Sequence, residues 1–171
     1  MSYQERGYWR ADRSRYGRLA MLDQPALWAI AVYRFGRWTA DASFGKAPLR
    51  GVYFFLYSVV RLMTGIDIPR SARIGPGLLI HHFGGIIIHP QSQIGSRCVM
   101  RHGVTIGARD SSGPPVLGDG VVLGAYAQVL GIITVGDDAV IGAMTVVLED
   151  VPRGGVVVGT AGRLLEKRAH E

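Results

Sequence analysis

The amino-acid sequence predicts a mainly β fold, a parallel β-helix preceded by a short α-helical segment, on three observations. Apolar residues recur every six positions from Ile68 to Val147, and glycine often follows them directly. The period is interrupted only between Ile80 and Ile88 and between Ile106 and Leu117. Residues 24–65 show helical spacing instead. A fixed short period of this kind is typical of solenoid folds.

The six-residue period also predicts the core. Each hexad supplies a short strand and a turn, and its apolar residue fills the axis of the coil. The predicted core positions are Ile68, Ile74, Ile80, Ile88, Ile94, Met100, Ile106, Leu117, Leu123, Val129, Val135, Ile141 and Val147. The segment "ARDSSGPP" is rich in turn formers and predicts a protruding loop. We therefore expect the β-helix over residues 66–160 and a tail over residues 161–171.

The helical segment, residues 24–65, predicts two helices that pack on the β-helix, and Pro25 and Pro48 each suit a first helical turn. The stripe of the first helix consists of Leu27, Ile30, Ala31, Phe35 and Trp38, with Arg34 and Arg37 outside it. The stripe of the second consists of Val52, Phe55, Leu56, Val59 and Met63. The apolar run over residues 52–60 is too short to span a bilayer, and packing on the main domain is favoured over docking on a membrane surface.

Composition limits the classes of function. The chain has 171 residues, of which 48% are hydrophobic, enough for one compact domain with a modest appendage. The only cysteine, Cys98, excludes an internal disulfide, predicts a cytoplasmic protein, and has the spacing of a small core residue rather than a nucleophile. A net charge of +6 and an arginine-rich beginning predict a flexible basic arm over residues 1–23. No nucleic-acid-binding module is visible, and a nucleic-acid partner is not expected.

The histidines give the first indication of chemistry. Four of the five lie within residues 81–102. His82 and His102 each lie two residues after a core position, so they should share one corner of successive coils, about 4.8 Å apart along the axis. His89 directly follows a core residue and is expected to be structural.

The hexads and the helical beginning resemble the hexapeptide-repeat acyltransferases. This resemblance implies a left-handed β-helix, a homotrimer, acetyl-CoA as co-substrate and no metal. The stretch "GIDIPRSARIGPGLLIHH" resembles the serine acetyltransferase segment in which an Asp lies fifteen residues before the catalytic His, a spacing that Asp67 and His82 reproduce. His82 would then be the general base of a direct transfer, and Asp67 would orient its ring.

Two further stretches resemble the cofactor-binding part of that family. The amides of "TIGA" would stabilise an oxyanion, although an ordinary turn glycine is an equally good interpretation there. The region from "VLGIITVGDDAV" onward resembles the CoA-binding coils, in which small residues admit the pantetheine arm and basic residues meet the phosphates. A solvated charged tail is the alternative for the last two basic residues. The implied cofactor-binding residues are Gly107, Ala108, Ala125, Gly142, Ala143, Arg163, Lys167 and Arg168.

The acceptor is predicted from a finer resemblance. "IHH" followed by "MRHGVTIGAR" resembles the colanic-acid-type exopolysaccharide O-acetyltransferases, which implies a sugar or lipid-linked oligosaccharide acceptor. The acceptor-binding residues would be His81, Arg101 and His102. Serine acetyltransferases hold their zwitterionic acceptor with an Asp before the catalytic His and an Arg-His pair in the loop, where this chain has His81, Gly113 and Pro114. Acetylation of serine is therefore the alternative prediction.

Three other interpretations stay open. A lipid-linked acceptor would explain a basic arm and an apolar helix that contact the inner face of the membrane. A zinc enzyme of the γ-carbonic-anhydrase type would use His81, His82 and His102 as ligands, but their spacing differs from that family's. A non-catalytic β-helix scaffold would not need Asp67 and His82 in register.

Overall fold

The computed structural model describes residues 3–40, 47–110 and 113–159. Helices come first along the chain and short strands follow. The helices are α1 (Tyr3–Ser14), α2 (Ala20–Asp23), α3 (Pro25–Ala40) and α4 (Ala47–Thr64). The strands are β1 (Ile66–Asp67), β2 (Arg73–Ile74), β3 (Leu79–His81), β4 (Ile86–Ile88), β5 (Gln93–Ile94), β6 (Val99–Arg101), β7 (Thr105–Gly107), β8 (Val116–Leu117), β9 (Val122–Leu123), β10 (Gln128–Leu130), β11 (Thr134–Val135), β12 (Val140–Ile141), β13 (Val146–Val147) and β14 (Val156–Val157).

The strands form the three faces of a parallel β-helix. Their orders are β1-β4-β7-β10-β13, β2-β5-β8-β11 and β3-β6-β9-β12-β14, and every pairing is parallel. Each coil therefore lies directly on the preceding one. All of the predicted core positions from Ile68 to Val147 are buried, and Cys98 is buried among them. The predicted fold and its core are confirmed.

Residues 3–23 differ from the flexible basic arm that the sequence predicted. They form α1 and α2, and two acidic side chains of α1, Glu5 and Asp12, are buried. The helices pack where the first coil has no preceding coil to pair with. A bare strand edge leaves backbone N–H and C=O groups unpaired, so covering this end satisfies a real structural need.

Tyrosine hydroxyls take over part of the missing backbone pairing. The Tyr33 hydroxyl donates to the Ala72 carbonyl at 2.8 Å and accepts from the Ile74 N–H at 3.1 Å. The Tyr16 hydroxyl accepts from the Ile80 N–H at 2.8 Å. Burial raises the pKa of both tyrosines to about 12, so their hydroxyls stay protonated and can still donate. The helical segment thus caps the first coil.

A buried ion pair completes the cap. The Arg34 guanidinium donates to the Asp12 carboxylate at 2.7 Å, and the two side chains are 1% and 0% exposed. Asp12 also accepts from the backbone N–H groups of Gly77 and Leu78, at 2.7 and 2.8 Å, directly before β3. The sequence prediction placed Arg34 outside the packed stripe of its helix. The structure buries it because carbonyls at the edge of the first coil, including that of Ile74, need donors.

Helix α4 turns only part of its predicted stripe to the protein. Of that stripe, Leu56 and Val59 are half-buried, whereas Val52, Phe55 and Met63 are exposed. Tyr53, outside the stripe, is buried, and Tyr57 is half-buried. The Tyr53 hydroxyl accepts from the Arg70 N–H, so a polar contact at the first coil sets the rotation of the helix. Among the described helices, none is both long and apolar enough to cross a membrane.

Candidate active site

The corner after β3 carries His82, and its backbone explains the glycine pair that follows. The two-residue insertion before Ile88 puts His82 at φ 63°, Gly84 at φ 110° and Gly85 at φ 65°. Glycine adopts such positive φ values without steric cost, whereas histidine does so only occasionally. The Gly84 carbonyl accepts from the Gly103 N–H at 2.8 Å, so the widened turn is still tied to the next coil. His82 therefore lies on a bulged, exposed corner.

Strand register places several predicted site residues along the edge of the β-helix that starts at His82. The paired core residues Ile80, Met100, Leu123 and Ile141 follow one another through β3, β6, β9 and β12. The residue two positions after each of them lies on the same edge. These edge residues are His82, His102, Ala125 and Ala143. Two imidazoles are thus followed along the axis by two small residues.

The two histidine rings are in contact, as the hexad spacing predicted. Their centroids are 5.9 Å apart and their planes make an angle of 81°. Tyr126 continues the contact, with its ring centroid 5.0 Å from that of His102 and an interplanar angle of 85°. The hexad spacing of the core residues and histidines did not single out Tyr126. The available signal was an aromatic residue directly after an edge position in the next coil.

Asp67 does not contact His82 in the structure. Its carboxylate accepts a hydrogen bond from the Tyr57 hydroxyl, and it forms an ion pair with Arg61 at 3.3 Å. Both partners lie on α4, which leads directly into β1. Among the described residues, His82 makes no hydrogen bond or ion pair, so the predicted Asp67–His82 contact is absent. Burial and the hydrogen bond to Asp67 raise the pKa of Tyr57, which therefore remains a donor.

The predicted acceptor-binding residues lie beside this edge. His81 and Arg101 are opposite each other in paired strands β3 and β6, and both are exposed. In the protruding loop, residues 111–112 fall outside the described part, and Gly113 and Pro114 are half-buried. An imidazole, and not a carboxylate, thus occupies the position before His82.

The predicted cofactor-binding residues are only partly brought together. Gly107 ends strand β7 and its carbonyl accepts from the Gly131 N–H at 2.9 Å, so "TIGA" begins as a strand and not as the predicted turn. Ala108 follows it on another edge from Ala125 and Ala143. Gly142, directly before Ala143, donates to the Val157 carbonyl at 2.7 Å. The other three, Arg163, Lys167 and Arg168, lie outside the described residues.

A metal site is not formed by the predicted histidines. Within residues 3–40, 47–110 and 113–159, no three His, Cys, Asp or Glu side chains converge in a way that could hold a metal ion. His81 lies on the face of β3, while the rings of His82 and His102 pack edge to face at the corner. The zinc interpretation finds no support in this geometry.

The reactivity of the Cys98 thiol tests directly whether the core is buried. Desolvation raises its thiol pKa to about 11, so only about one molecule in a thousand carries the thiolate at pH 8. We expect native protein at pH 8 to resist a thiol-specific chromogenic reagent and to react with one equivalent after unfolding in urea. Absorbance of the released chromophore gives the stoichiometry. Rapid reaction of the native protein would contradict this core position.

Comparison with known proteins identifies the family. The model "Bacterial transferase hexapeptide (six repeats)" matches residues 114–149. A serine acetyltransferase of Helicobacter pylori is 38% identical over 153 residues, which cover 86% of this chain and 85% of the relative. The chain belongs to the serine acetyltransferase family. It is an acyltransferase, and the relatives favour serine acetyltransferases over the exopolysaccharide enzymes that the finer resemblance suggested.

Other relatives are longer than this chain. A serine acetyltransferase of Synechococcus elongatus is 35% identical over 159 residues, which cover 91% of this chain but 63% of that protein. The structure of soybean serine acetyltransferase complexed with serine matches with a TM-score of 0.76 at 31% identity, covering 95% of this chain and 68% of that one. A serine acetyltransferase structure described as a complex with CoA matches with a TM-score of 0.75 at 28% identity.

Proposed function

We propose that this protein transfers the acetyl group of acetyl-CoA to the hydroxyl of L-serine, with His82 as general base. The observation that carries the proposal is the 38% identity to a serine acetyltransferase over 85% of that relative's length. The match to a serine acetyltransferase solved with CoA supports the donor. In this proposal the exposed edge from His82 to Ala143 is where donor and acceptor meet.

The proposed reaction needs one base and no covalent enzyme intermediate. His82 accepts the hydroxyl proton as the serine oxygen bonds to the acetyl carbonyl carbon, the carbon–sulfur bond breaks, and His82 returns the proton to the departing sulfur. The products are O-acetylserine and CoA thiol. The small side chains of Ala125 and Ala143 leave the edge beyond the histidines open, which suits a long pantetheine arm lying against the backbone.

A groove beside His81 supports a zwitterionic acceptor. It has a volume of about 620 Å³ and lies between β3 and the segment that joins α1 to α2. Arg18 and Asp23 line it, and both side chains are exposed. Serine carries a carboxylate for the guanidinium and an ammonium for the carboxylate. In this proposal Asp23 and Arg18 take the place of the carboxylate missing at His81 and of the guanidinium missing in the loop.

The groove wall is already ordered. The Arg13 guanidinium donates to the Gly17 carbonyl at 2.7 Å and also to the Arg18 carbonyl, which fixes the turn after α1. The Tyr16 hydroxyl links the same segment to β3 through the Ile80 N–H. A preformed site binds a small ligand without first ordering a loop, which favours affinity.

An acceptor panel tests the proposed function. Purified protein is given acetyl-CoA and either L-serine, D-serine, L-homoserine or an acidic exopolysaccharide repeat unit, and the release of CoA thiol is followed together with mass spectrometry of the product. We expect the highest kcat/KM with L-serine. No O-acetylserine at saturating acetyl-CoA, with acetylation of another acceptor, would overturn the serine assignment.

The groove gives a prediction of its own. We expect Asp23→Asn and Arg18→Gln each to raise the KM for serine about tenfold, because each removes one charge-assisted hydrogen bond, while the KM for acetyl-CoA stays the same. Asp138→Asn and Arg153→Gln remove the same charges from an exposed pair 3.8 Å apart elsewhere on the β-helix and are the matched controls. Steady-state kinetics with both substrates decide it. Equal KM values in test and control variants would remove the groove from the acceptor site.

A sugar hydroxyl remains the second candidate acceptor. The observation in its favour is that the exposed side chains of His81 and Arg101 lie opposite each other in paired strands. A site for an ammonium group would instead have a carboxylate at the position of His81. Neutral and charged side chains of this kind can hydrogen-bond sugar hydroxyls. Turnover of the repeat unit in the panel, unaffected by Asp23→Asn, would favour this candidate over serine.

A further inference from the structure

Three rings from three successive coils form a column on the edge that carries His82. His102 lies in the middle, with its centroid 5.9 Å from that of His82 and 5.0 Å from that of Tyr126. The interplanar angles are 81° and 85°, so both contacts are edge to face. This is the arrangement that aromatic quadrupoles favour over a face-to-face sandwich. The outermost ring of the column is therefore linked to the proposed base through His102.

Tyr126 occupies the left-handed turn position of its hexad, with φ 58°. Arg97, Asp138 and Met144 have the same conformation three residues after their own core positions, and it is unfavourable for a side chain as large as tyrosine. Gly103, one coil earlier, leaves the space for the ring, since a Cβ atom there would lie 2.3 Å from Tyr126 Cδ1. The Tyr126 side chain stays 52% exposed, so burial in the core does not offset the strained backbone.

Hydrogen bonds do not orient the two imidazoles. His102 Nδ1 is buried and has no hydrogen-bond partner among the described residues. The His82 ring has none there either, and the Asp67 carboxylate is held by Tyr57 and Arg61. The edge-to-face contact with His102 therefore restricts the rotamers of His82 at its exposed corner.

We infer that Tyr126 is a positioning residue, which acts through His102 to hold the His82 ring in the orientation needed for proton transfer. The inference rests on the proposed role of His82 as general base. A base is efficient only when its nitrogen lies within hydrogen-bond reach of the acceptor hydroxyl, and small losses of orientation lower the rate steeply. Tyr126 itself touches neither base nor substrate in this assignment.

Tyr126→Gly is a sharp test because it removes the ring while favouring the backbone. Glycine accepts the positive φ, so we expect the free energy of unfolding to stay the same or rise. We expect kcat to fall about tenfold and the KM values for serine and acetyl-CoA to stay the same. Tyr126→Phe keeps the ring and should restore kcat to within about twofold of wild type.

Arg97→Gly is the matched control. Arg97 has φ 57°, is exposed and occupies the corner between β5 and β6, on a different edge of the β-helix. The substitution relieves the same backbone strain without touching the ring column. We expect unchanged kcat and KM, together with a change in stability similar to that of Tyr126→Gly.

A double-mutant cycle tests the route through His102. If Tyr126 acts through His102, Tyr126→Gly has no further effect on kcat in a His102→Ala background. Equal losses in both backgrounds, an unchanged kcat in Tyr126→Gly, or a rise in KM alone would each overturn the inference.

A spectroscopic measurement separates this inference from the proposed function. Two-dimensional NMR of the histidine rings needs no acceptor, and we expect Tyr126→Gly to shift the His102 and His82 ring signals while Arg97→Gly leaves them in place. Unshifted His82 signals would overturn the inference. Wild-type protein that acetylates no serine would overturn the proposed function, while the ring signals would still decide the role of Tyr126.

Discussion

Replacing His82 by asparagine is expected to lower kcat for acetyl transfer by about 10²–10⁴-fold, the usual contribution of a positioned general base. Asparagine suits the test because it tolerates the left-handed backbone of this corner, φ 63°, better than most residues. The His82 side chain is exposed, so its loss should leave the unfolding midpoint unchanged. The rate is measured as CoA thiol release under saturating acetyl-CoA and serine.

His89→Asn is the matched control for that measurement. His89 Nδ1 accepts from the Gln91 N–H at 3.2 Å, and the asparagine side-chain oxygen can accept the same bond. The control thus removes an imidazole from the next turn without removing a base from the edge. Wild-type turnover by His82→Asn, with serine and with the repeat unit, would exclude His82 from the mechanism on either acceptor.

The edge that carries His82 could be predicted because it depends on a local period. Once the hexads are counted, strand register follows, and His82 and His102 fall on the same corner whatever the rest of the chain does. The same counting places Ala125 and Ala143 beyond them. The resemblance to serine acetyltransferases also implied an Asp67–His82 contact, but a matching separation of fifteen residues does not say which way a carboxylate turns. Its nearest donors, Tyr57 and Arg61, come from a helix whose rotation the hydrophobic pattern did not predict.

The cap over the first coil could not be predicted from periodicity. The helical stripe identified apolar positions, whereas the contacts that fix the helices are polar and join residues far apart in sequence. The Arg34 guanidinium donates to carbonyls of the first coil and to Asp12, and each of these partners is at least 22 residues away in sequence. Such pairs are determined only when an open strand edge and a helix meet. The resulting burial turned a predicted flexible arm into part of the core.

The buried pair of Asp12 and Arg34 therefore gives the largest expected effect on stability. Asp12→Asn keeps the shape of the side chain and removes its charge, leaving a buried guanidinium without a counter-ion. Breaking a buried pair in this way costs about 3–5 kcal/mol of unfolding free energy. Arg34→Met should lower the free energy of unfolding by a similar amount, because it leaves the buried Asp12 carboxylate without a counter-ion. Urea unfolding followed by circular dichroism, at one fixed protein concentration, measures both.

The double variant separates the pair from its surroundings. Each single substitution leaves one buried charge without a counter-ion, whereas the double variant leaves none. The double variant Asp12→Asn with Arg34→Met should therefore lower the free energy of unfolding by clearly less than the sum of the two single variants. Asp138→Asn breaks an exposed pair with Arg153 and should cost no more than about 1 kcal/mol. If Asp12→Asn also lowers the free energy of unfolding by no more than about 1 kcal/mol, the cap does not hold the first coil. Because Asp12 binds the N–H groups of Gly77 and Leu78 just before β3, the strand that presents His82 should loosen together with the pair.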